Sequence, residues 1–539
     1  MNFKGLKIMK HNAMKLTMKK IMFMLPILLL SFGCEEFLDK TPQEGGMIGF
    51  NNVSQFEAML QEIRITRNRY EWSHAILGSD DCFYHPDFYT ANPGTYQLRE
   101  AYNVWNETEL KILQGSSNGF QSPWTYMYTF NYITDKIDDA SIEGSPLLKK
   151  QVKAEAMFFR AFYYFNMVVQ YCMHPALNKG EYPGLAYKNS ISTDPSTYKD
   201  RKTVKFTMDG ILNDLYNAEK MLAEVGKSDF NIKQPWRVTV PTVQSLLARV
   251  ELYNGNYQNA FEYAKKTYSV YSFLYDLNNT ALFKMENRGT LQTETVNGVT
   301  YSCYSQSPTI ATNSSNTSDT ESNSNYFYKE AYFRATCQLA ALNKMPPSQE
   351  LYNLYAANDL RKSIYYDNNM NISTSSLFKP SRKDELVSKA YMKNGTSTTG
   401  SGYILGVTVP EIMLIMAECR ARGAGDGENA GVILKELRKK RFPTGFTDTI
   451  GGTLKEVKEE RRRELAFVMR WYDLKRYNAL DNDNITVSKL ARKDVYQLNS
   501  ELVTWKLAPN APAYAMPIPQ IEVDMLGWKQ NEYGGVSFQ

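Results

Sequence analysis

Apolar side chains recur at three- and four-residue spacings along most of this 539-residue chain, which predicts a mostly α-helical protein. Between Ser54 and Tyr70, the residues Phe56, Met59, Leu60 and Ile63 share one helical face. Ser122 to Asp139 repeats the period, with Trp124, Met127, Tyr128 and Tyr132 expected inward. Pro146 to Tyr171 is apolar on nearly all sides, the pattern of a helix enclosed by others. Thr207 to Val225 is a further helix. Glu459 to Tyr477, E-E-R-R-R-E-L-A-F-V-M-R-W-Y-D-L-K-R-Y, holds no Gly or Pro and reads as one helix. Leu454, Val457, Leu465, Val468 and Tyr472 give it an apolar face. Glu459 can reach Arg462 and Arg463, and Arg470 can reach Asp473, so the expectation is a solvated, salt-bridged helix lying on a helical core.

Two stretches read as helix pairs. Val240 to Ser269 places Ala248, Gly255, Tyr257 and Ala260 at tetratricopeptide spacings, where small residues let paired helices approach and Tyr fills the gap. Pro410 to Phe442 is a looser second pair, with Ala417 and Ala430 as its small contacts. No clean period of this kind runs through the whole chain. Met345 to Arg361 has Pro at a helix start. Three stretches interrupt the helices. Trp72 to Trp105 reads as a loop dense in aromatics, with Pro86 and Pro93-Gly94 breaking it into turns. Ala281 to Asn325 is rich in Ser, Thr and Asn and reads as a long loop or β-hairpin region. Ile372 to Tyr403 is another polar loop.

Composition adds an address. The formal charge of +5 is misleading, because residues 1–33 hold six Lys and no acid, leaving 56 basic against 57 acidic residues in the remainder. No concentrated basic face calls for nucleic acid. The six Lys precede an apolar run from Ile21 to Leu30, the layout of a secretory signal and too short to span a bilayer. The run ends Leu30-Ser31-Phe32-Gly33-Cys34; small residues before a Cys resemble the bacterial lipobox, in which Cys34 would be acylated and become the first mature residue. Such a protein is anchored to a membrane rather than spanning it.

Catalytic and metal chemistry find little support. Gly115-Ser116-Ser117-Asn118-Gly119 matches G-x-S-x-G, but Pro123 follows closely and no β-branched run precedes, so a turn is expected rather than a nucleophile elbow. Asp481-Asn482-Asp483 begins like a calcium loop, but Thr486 and Arg492 stand where Gly and Glu are needed. His74, His85 and His174 have no partner at metal-ligand spacing, and the five Cys beyond Cys34 show no zinc pattern. Asp80-Asp81 could be half of a glycosidase carboxylate pair, though such acids more often cap turns or bond sugar hydroxyls. No cofactor is expected.

The order of residues from Glu459 to Tyr477 resembles the C-terminal signature of the SusD/RagB family, E-R-R-x-E-L-A-F-E-G-x-R-W-x-D-L-x-R, departing from it at Val468 and Met469. Other stretches resemble the family too. They are the start at Cys34 to Pro42, the helix around Arg160, the segment Gly180 to Tyr187, the Asp214-Leu215 pattern, Met345 to Arg361, and P-I-P within Ala515 to Val523. The resemblance implies a tetratricopeptide-like helix-pair scaffold with long irregular insertions and minor β structure. It divides the chain into a signal at 1–33, an N-terminal region at 34–230, a helix pair plus loop at 231–330 and a C-terminal region at 331–539. It also implies a surface lipoprotein of the outer membrane, not an enzyme, that captures a nutrient for a SusC-like, TonB-dependent barrel. The family includes glycan binders and some peptide binders.

An oligosaccharide is the expected ligand, because flat aromatic rings stack on the C–H faces of sugars. The candidates are Trp72, Tyr84, Tyr89 and Tyr96 with Asp80 in the first aromatic stretch, and Tyr304 and Tyr328 in the second. In a chain with 37 Tyr and 26 Phe, most rings serve the core.

Overall fold

The computed structural model describes residues 50–65, 69–82, 93–113, 118–192, 200–230, 237–279, 329–333, 335–338, 347–367, 403–494, 497 and 500–539, together with short strands at 285–286, 291–296, 299–304, 309–310 and 387–388. Among these residues there are sixteen α-helices: α1 Val53–Ile65, α2 Ser73–Leu77, α3 Pro93–Asn103, α4 Glu107–Leu113, α5 Asn118–Lys136, α6 Pro146–Tyr171, α7 Val204–Glu224, α8 Val240–Asn254, α9 Tyr257–Val270, α10 Gln349–Asn353, α11 Leu360–Tyr365, α12 Val409–Ala421, α13 Ala430–Arg438, α14 Leu454–Glu464, α15 Arg470–Arg476 and α16 Gln520–Leu526.

Eight of them form the scaffold. In the order α5, α6, α7, α8, α9, α12, α13, α14, each packs on the next. Every residue of α6 from Phe158 to Tyr171 is buried, as is every residue of α8 from Val240 to Tyr253 and of α12 from Val409 to Cys419. These three apolar rods are sandwiched by amphipathic neighbours, which is why their sequences lack a polar face. The helix starts are written locally. Thr203, Thr408 and Asn429 each accept a hydrogen bond from a first-turn backbone N–H, and Thr453 with Glu456 makes a reciprocal capping box. Gly255 ends α8 at φ +82°, a left-handed conformation that a side chain resists, and lets α9 turn straight back; Ala248 and Ala260 are buried at that pair's contact. Ala417 and Ala430 are likewise buried between α12 and α13.

The β structure is minor. Val487–Arg492, Leu502–Leu507 and Val536–Phe538 form an antiparallel sheet near the C-terminus. Arg69–Glu71 and Tyr403–Ile404 flank Thr336–Gln338, the first in parallel and the second antiparallel. Leu291–Val296 and Val299–Tyr304 make a hairpin inside the Ser/Thr/Asn-rich region, opposing Leu291 to Tyr304.

Three expectations are corrected. The stretch from Trp72 to Trp105 is not simply looped: α2 and α3 lie within it. Pro93 does not break a helix but opens one, since the first turn has no use for the N–H that Pro lacks. Tyr128 faces outward, 59% exposed, because the inward stripe of α5 runs through Met127, Phe130 and Ile133. Glu459 to Tyr477 is two helices. The chain breaks over Leu465 to Met469, with Phe467 at φ +67°, and Val468 and Met469 lie in that break rather than on a helix face.

Candidate functional site

The arginine-rich signature is buried, not solvated. Arg361 donates to Glu460 at 2.6 Å, to Glu464 at 2.9 Å and to Asp359 at 2.7 Å, with all four side chains enclosed. Glu460 also accepts from Arg438 and Arg463, each at 2.8 Å. Glu464 is met by Arg441 at 3.0 Å, which continues to Glu330 at 3.2 Å. On the other side of α14, Arg461 pairs with Asp473 at 2.9 Å, Asp473 with Arg476 at 2.8 Å, and Arg476 with Glu418 at 2.6 Å. Arg249 and Glu411 form a bidentate pair at 2.8 and 2.6 Å between α8 and α12. Burial pushes the Glu460 carboxyl up, but Arg361, Arg463 and Arg438 outweigh it and hold it well below the ordinary range. Burial raises Glu418 in the same way, and Arg476 with Arg422 brings it down to about 2. Each charge of this spine makes at least one charge-assisted bond, the condition under which burying ions is tolerated, although Nη1 and Nη2 of Arg461 have no hydrogen-bond partner and Nη2 stands 3.7 Å from Glu411. The signature therefore joins α8, α11, α12, α13, α14 and α15 from the inside.

The break after α14 is held by the first aromatic stretch. Asp81 accepts the Phe467 backbone N–H at 2.9 Å and the Arg462 guanidinium at 2.7 Å. Asp80 takes Arg470 in a bidentate pair at 2.6 and 2.7 Å. The Trp72 indole donates to the Val468 carbonyl at 2.8 Å. Two sequence-predicted ligand residues are thereby reassigned. Trp72 is only 1% exposed and packs in the core, and both Asp80 oxygens serve Arg470. Burial pushes the Asp80 carboxyl up, but Arg470 and Arg462 hold it well below the carboxylate range, so it carries no proton to donate near neutrality and does not suit a glycosidase acid.

The remaining candidates fall differently. Cys34, Tyr84, Tyr89 and Tyr328 lie outside the described residues; Tyr96 sits on α3 and Tyr304 ends the hairpin. The described flanks of the interrupting stretches converge. Cys82 bridges to Pro347, and the Ser348 N–H donates to Asp81 at 2.7 Å. The Tyr332 N–H donates to Val407 at 2.9 Å, Leu277 to Lys440 and Leu360 to Arg441, each at 3.0 Å. The roots of both aromatic regions thus stand at the end of the scaffold where α9, α13 and α14 finish and α12 begins. A cavity of about 60 Å³ lies beneath, lined by Glu330, Tyr365, Thr408, Glu411 and Glu464; it has room for waters, not for a sugar ring.

Other chemistry is accounted for. Burial drives His174 down to about 3, so the ring is neutral while its Nε2 meets the Tyr253 carbonyl at 2.8 Å; burial likewise lowers His74. Asp481 and Asp483 are taken by Arg422 and Lys458 rather than arranged around a cation. The segment before Gly115 is the helix α4, not the strand a nucleophile elbow needs. Among the described residues no group of His, Cys, Asp and Glu could hold a metal, and no helix is long and apolar enough to cross a membrane.

The described helices form a helix-pair scaffold with an internal ionic spine, and the described flanks of its interrupting stretches meet at one end. Residues 36–252 match the family SusD-like_3, described as starch-binding and associating with the outer membrane, and residues 386–532 match the SusD family. The chain belongs to the SusD/RagB family. No curated protein sequence matches it. Among solved structures it resembles a SusD superfamily protein of Bacteroides thetaiotaomicron, with 18% identity, TM-score 0.62, and 89% of this chain aligned to 100% of that one. A SusD-like carbohydrate-binding protein of Bacteroides vulgatus matches at 16% identity and TM-score 0.55, over 88% of this chain and 97% of that one. Surface glycan-binding protein A of Bacteroides thetaiotaomicron, solved with laminarihexaose, matches at 16% identity and TM-score 0.58, over 89% and 100%.

Proposed function

We propose that this protein is a lipid-anchored outer-membrane receptor that binds a nutrient oligosaccharide without cutting it and delivers it to a SusC-like, TonB-dependent barrel. The observation that carries the reading is the convergence of the two aromatic regions' roots on one end of a rigid scaffold. Loops set on a rigid frame are where binding groups are commonly placed. The family's starch-binding description and the laminarihexaose-bound relative support a glycan. The lipobox at Cys34 supports the anchor, and the engagement of Asp80 and Asp81 with arginines supports the absence of hydrolysis. Of the aromatic candidates, Tyr84, Tyr89, Tyr96, Tyr304 and Tyr328 remain those expected to stack on ligand. Detergent extraction from cells grown on the inducing glycan tests the delivery role. The protein is expected to co-purify with a TonB-dependent barrel, and a clean preparation lacking one contradicts it.

A further inference from the structure

Where the end of α3 meets the C-terminal sheet, three polar side chains are enclosed with too few partners. Glu100 and Asn103 lie three residues apart on α3, so they share a face, and each is only 1% exposed. Val104, directly after them, packs with Ala491 of the strand Val487–Arg492. Alternate residues of a strand point to the same side, so Lys489 enters on the side of Ala491, and it too is buried. Neither Nδ2 nor Oδ1 of Asn103 makes a well-formed hydrogen bond, and Oε2 of Glu100 makes none. The Lys489 ammonium has three N–H groups to place and makes one bond, to the Cys82 carbonyl at 2.7 Å. Asp80 and Asp81, next to that carbonyl, are already committed to Arg470, Arg462 and the Phe467 N–H.

Burial pushes the Glu100 carboxyl up to about 8, so it holds a proton at neutral pH; Asn103, Lys489 and Arg492 are near enough to oppose that shift. Burial lowers Lys489, against the charges of Cys82, Asp80, Asp81 and Glu100, which favours the uncharged amine. An uncharged amine is a nucleophile, and a carboxamide beside a proton donor is an acyl group it can attack. We propose that Lys489 and Asn103 become joined by a spontaneous isopeptide bond, with Glu100 as the proton-transfer group. Lys489 Nζ attacks Asn103 Cγ and the new C–N bond forms. Glu100 gives its proton to the departing Nδ2 and takes one from Nζ; the Cγ–Nδ2 bond breaks and ammonia leaves. No oxidant, metal or cofactor is consumed. The product removes a buried amine with too few partners and a buried amide NH2 with none. It also ties α3 to the C-terminal sheet covalently, beside the place where Asp80 and Arg470 tie the same two regions by charge, and it restricts the unfolded chain as a disulfide does.

The test is mass spectrometry of a tryptic digest of the full-length protein, extracted in detergent and denatured before digestion. The expected product is a branched peptide joining residues 100–111 to 477–492, lighter by one ammonia than the two together, with no cleavage after Lys489. Lys489→Arg and Glu100→Gln are each expected to abolish it. Asn103→Asp is expected to give a branched peptide of identical mass, because water then leaves in place of ammonia. The decisive reading is on the wild-type protein, so a variant that fails to fold leaves the test intact. Wild-type protein that yields the two peptides separately, with cleavage after Lys489, overturns the bond. A branched peptide that persists in Glu100→Gln overturns the role given to Glu100.

Discussion

Asp80 and Arg470 meet in a two-bond pair, 2.6 and 2.7 Å, across 390 residues of sequence. With Asp81 on Arg462 and on the Phe467 N–H, and Trp72 on the Val468 carbonyl, this pair fastens the N-terminal aromatic stretch to the break between α14 and α15. The break needs fastening. A Phe at φ +67° is strained by roughly 1 kcal/mol or more, and only surrounding contacts keep it there.

Removing one member of the pair leaves the other charge buried and unmatched. Asp80→Ala is expected to destabilise the protein by about 3 to 5 kcal/mol, and Asp80→Leu combined with Arg470→Met by clearly less. Urea unfolding of the three proteins checks this. Equal losses in the single and double variants contradict the pairing.

Trp72→Ala is expected to cost about 3 to 5 kcal/mol of stability, as for a large core side chain. Trp72→Phe keeps most of the packing and loses the bond to Val468. A Trp72→Ala protein that melts like wild type yet no longer binds glycan returns Trp72 to the ligand site.

The ionic spine gives stability a defined pH dependence. Glu418 is held at about 2 in the fold against an ordinary 4.5, so its contribution is complete above pH 4.5 and is lost as pH falls toward 2. On the linkage relation that is worth on the order of 3 kcal/mol. Glu418→Gln is expected to be less stable at pH 7 and to show a flatter stability curve between pH 5 and 2.

Lys475 has the opposite sign. Its ammonium donates to the carbonyls of Val169 at 2.8 Å, Cys172 at 2.5 Å and Tyr514 at 3.3 Å, and burial lowers its pKa to about 7 from 10.5. Holding that proton costs the fold free energy below the unfolded value, so stability relative to Lys475→Met is expected to rise from pH 7 to 9, by roughly 1 kcal/mol per unit. A pH-independent difference contradicts the shift.

Cys34→Ala is expected to abolish acylation and release the protein from the outer membrane. Labelling with a palmitate analogue and membrane fractionation read both. A variant that is still labelled and still sediments refutes the lipobox reading.

Much of the scaffold was legible in the sequence because helices are local. Pro146 to Tyr171, apolar on nearly all sides, the Gly255 turn and the small contacts Ala248, Ala260, Ala417 and Ala430 state their roles through spacing alone. The ionic spine was not legible. Spacing offers Glu459 to Arg462 as an i+3 pair, whereas Arg462 goes to Asp81 and Arg361 reaches Glu460 and Glu464 from a distant helix. Such partners are chosen by tertiary packing, and a charged run looks the same in sequence whether water or carboxylates surround it. Trp72 and Asp80 were misread for the same reason: aromatic and acidic residues in a turn-rich stretch suit a ligand site and a clamp equally well. One clue was available, since six Arg at Arg461, Arg462, Arg463, Arg470, Arg476 and Arg361 with interleaved acids favour bidentate pairing over the point charge of Lys.

Calorimetric titration of the wild-type protein against laminari- and malto-oligosaccharides, with the products analysed afterwards, tests the central claim most directly. The account predicts saturable heat with at least one of them and the sugar recovered at full length. No heat with any oligosaccharide while a peptide mixture binds, or shortened sugars in the cell, would contradict it.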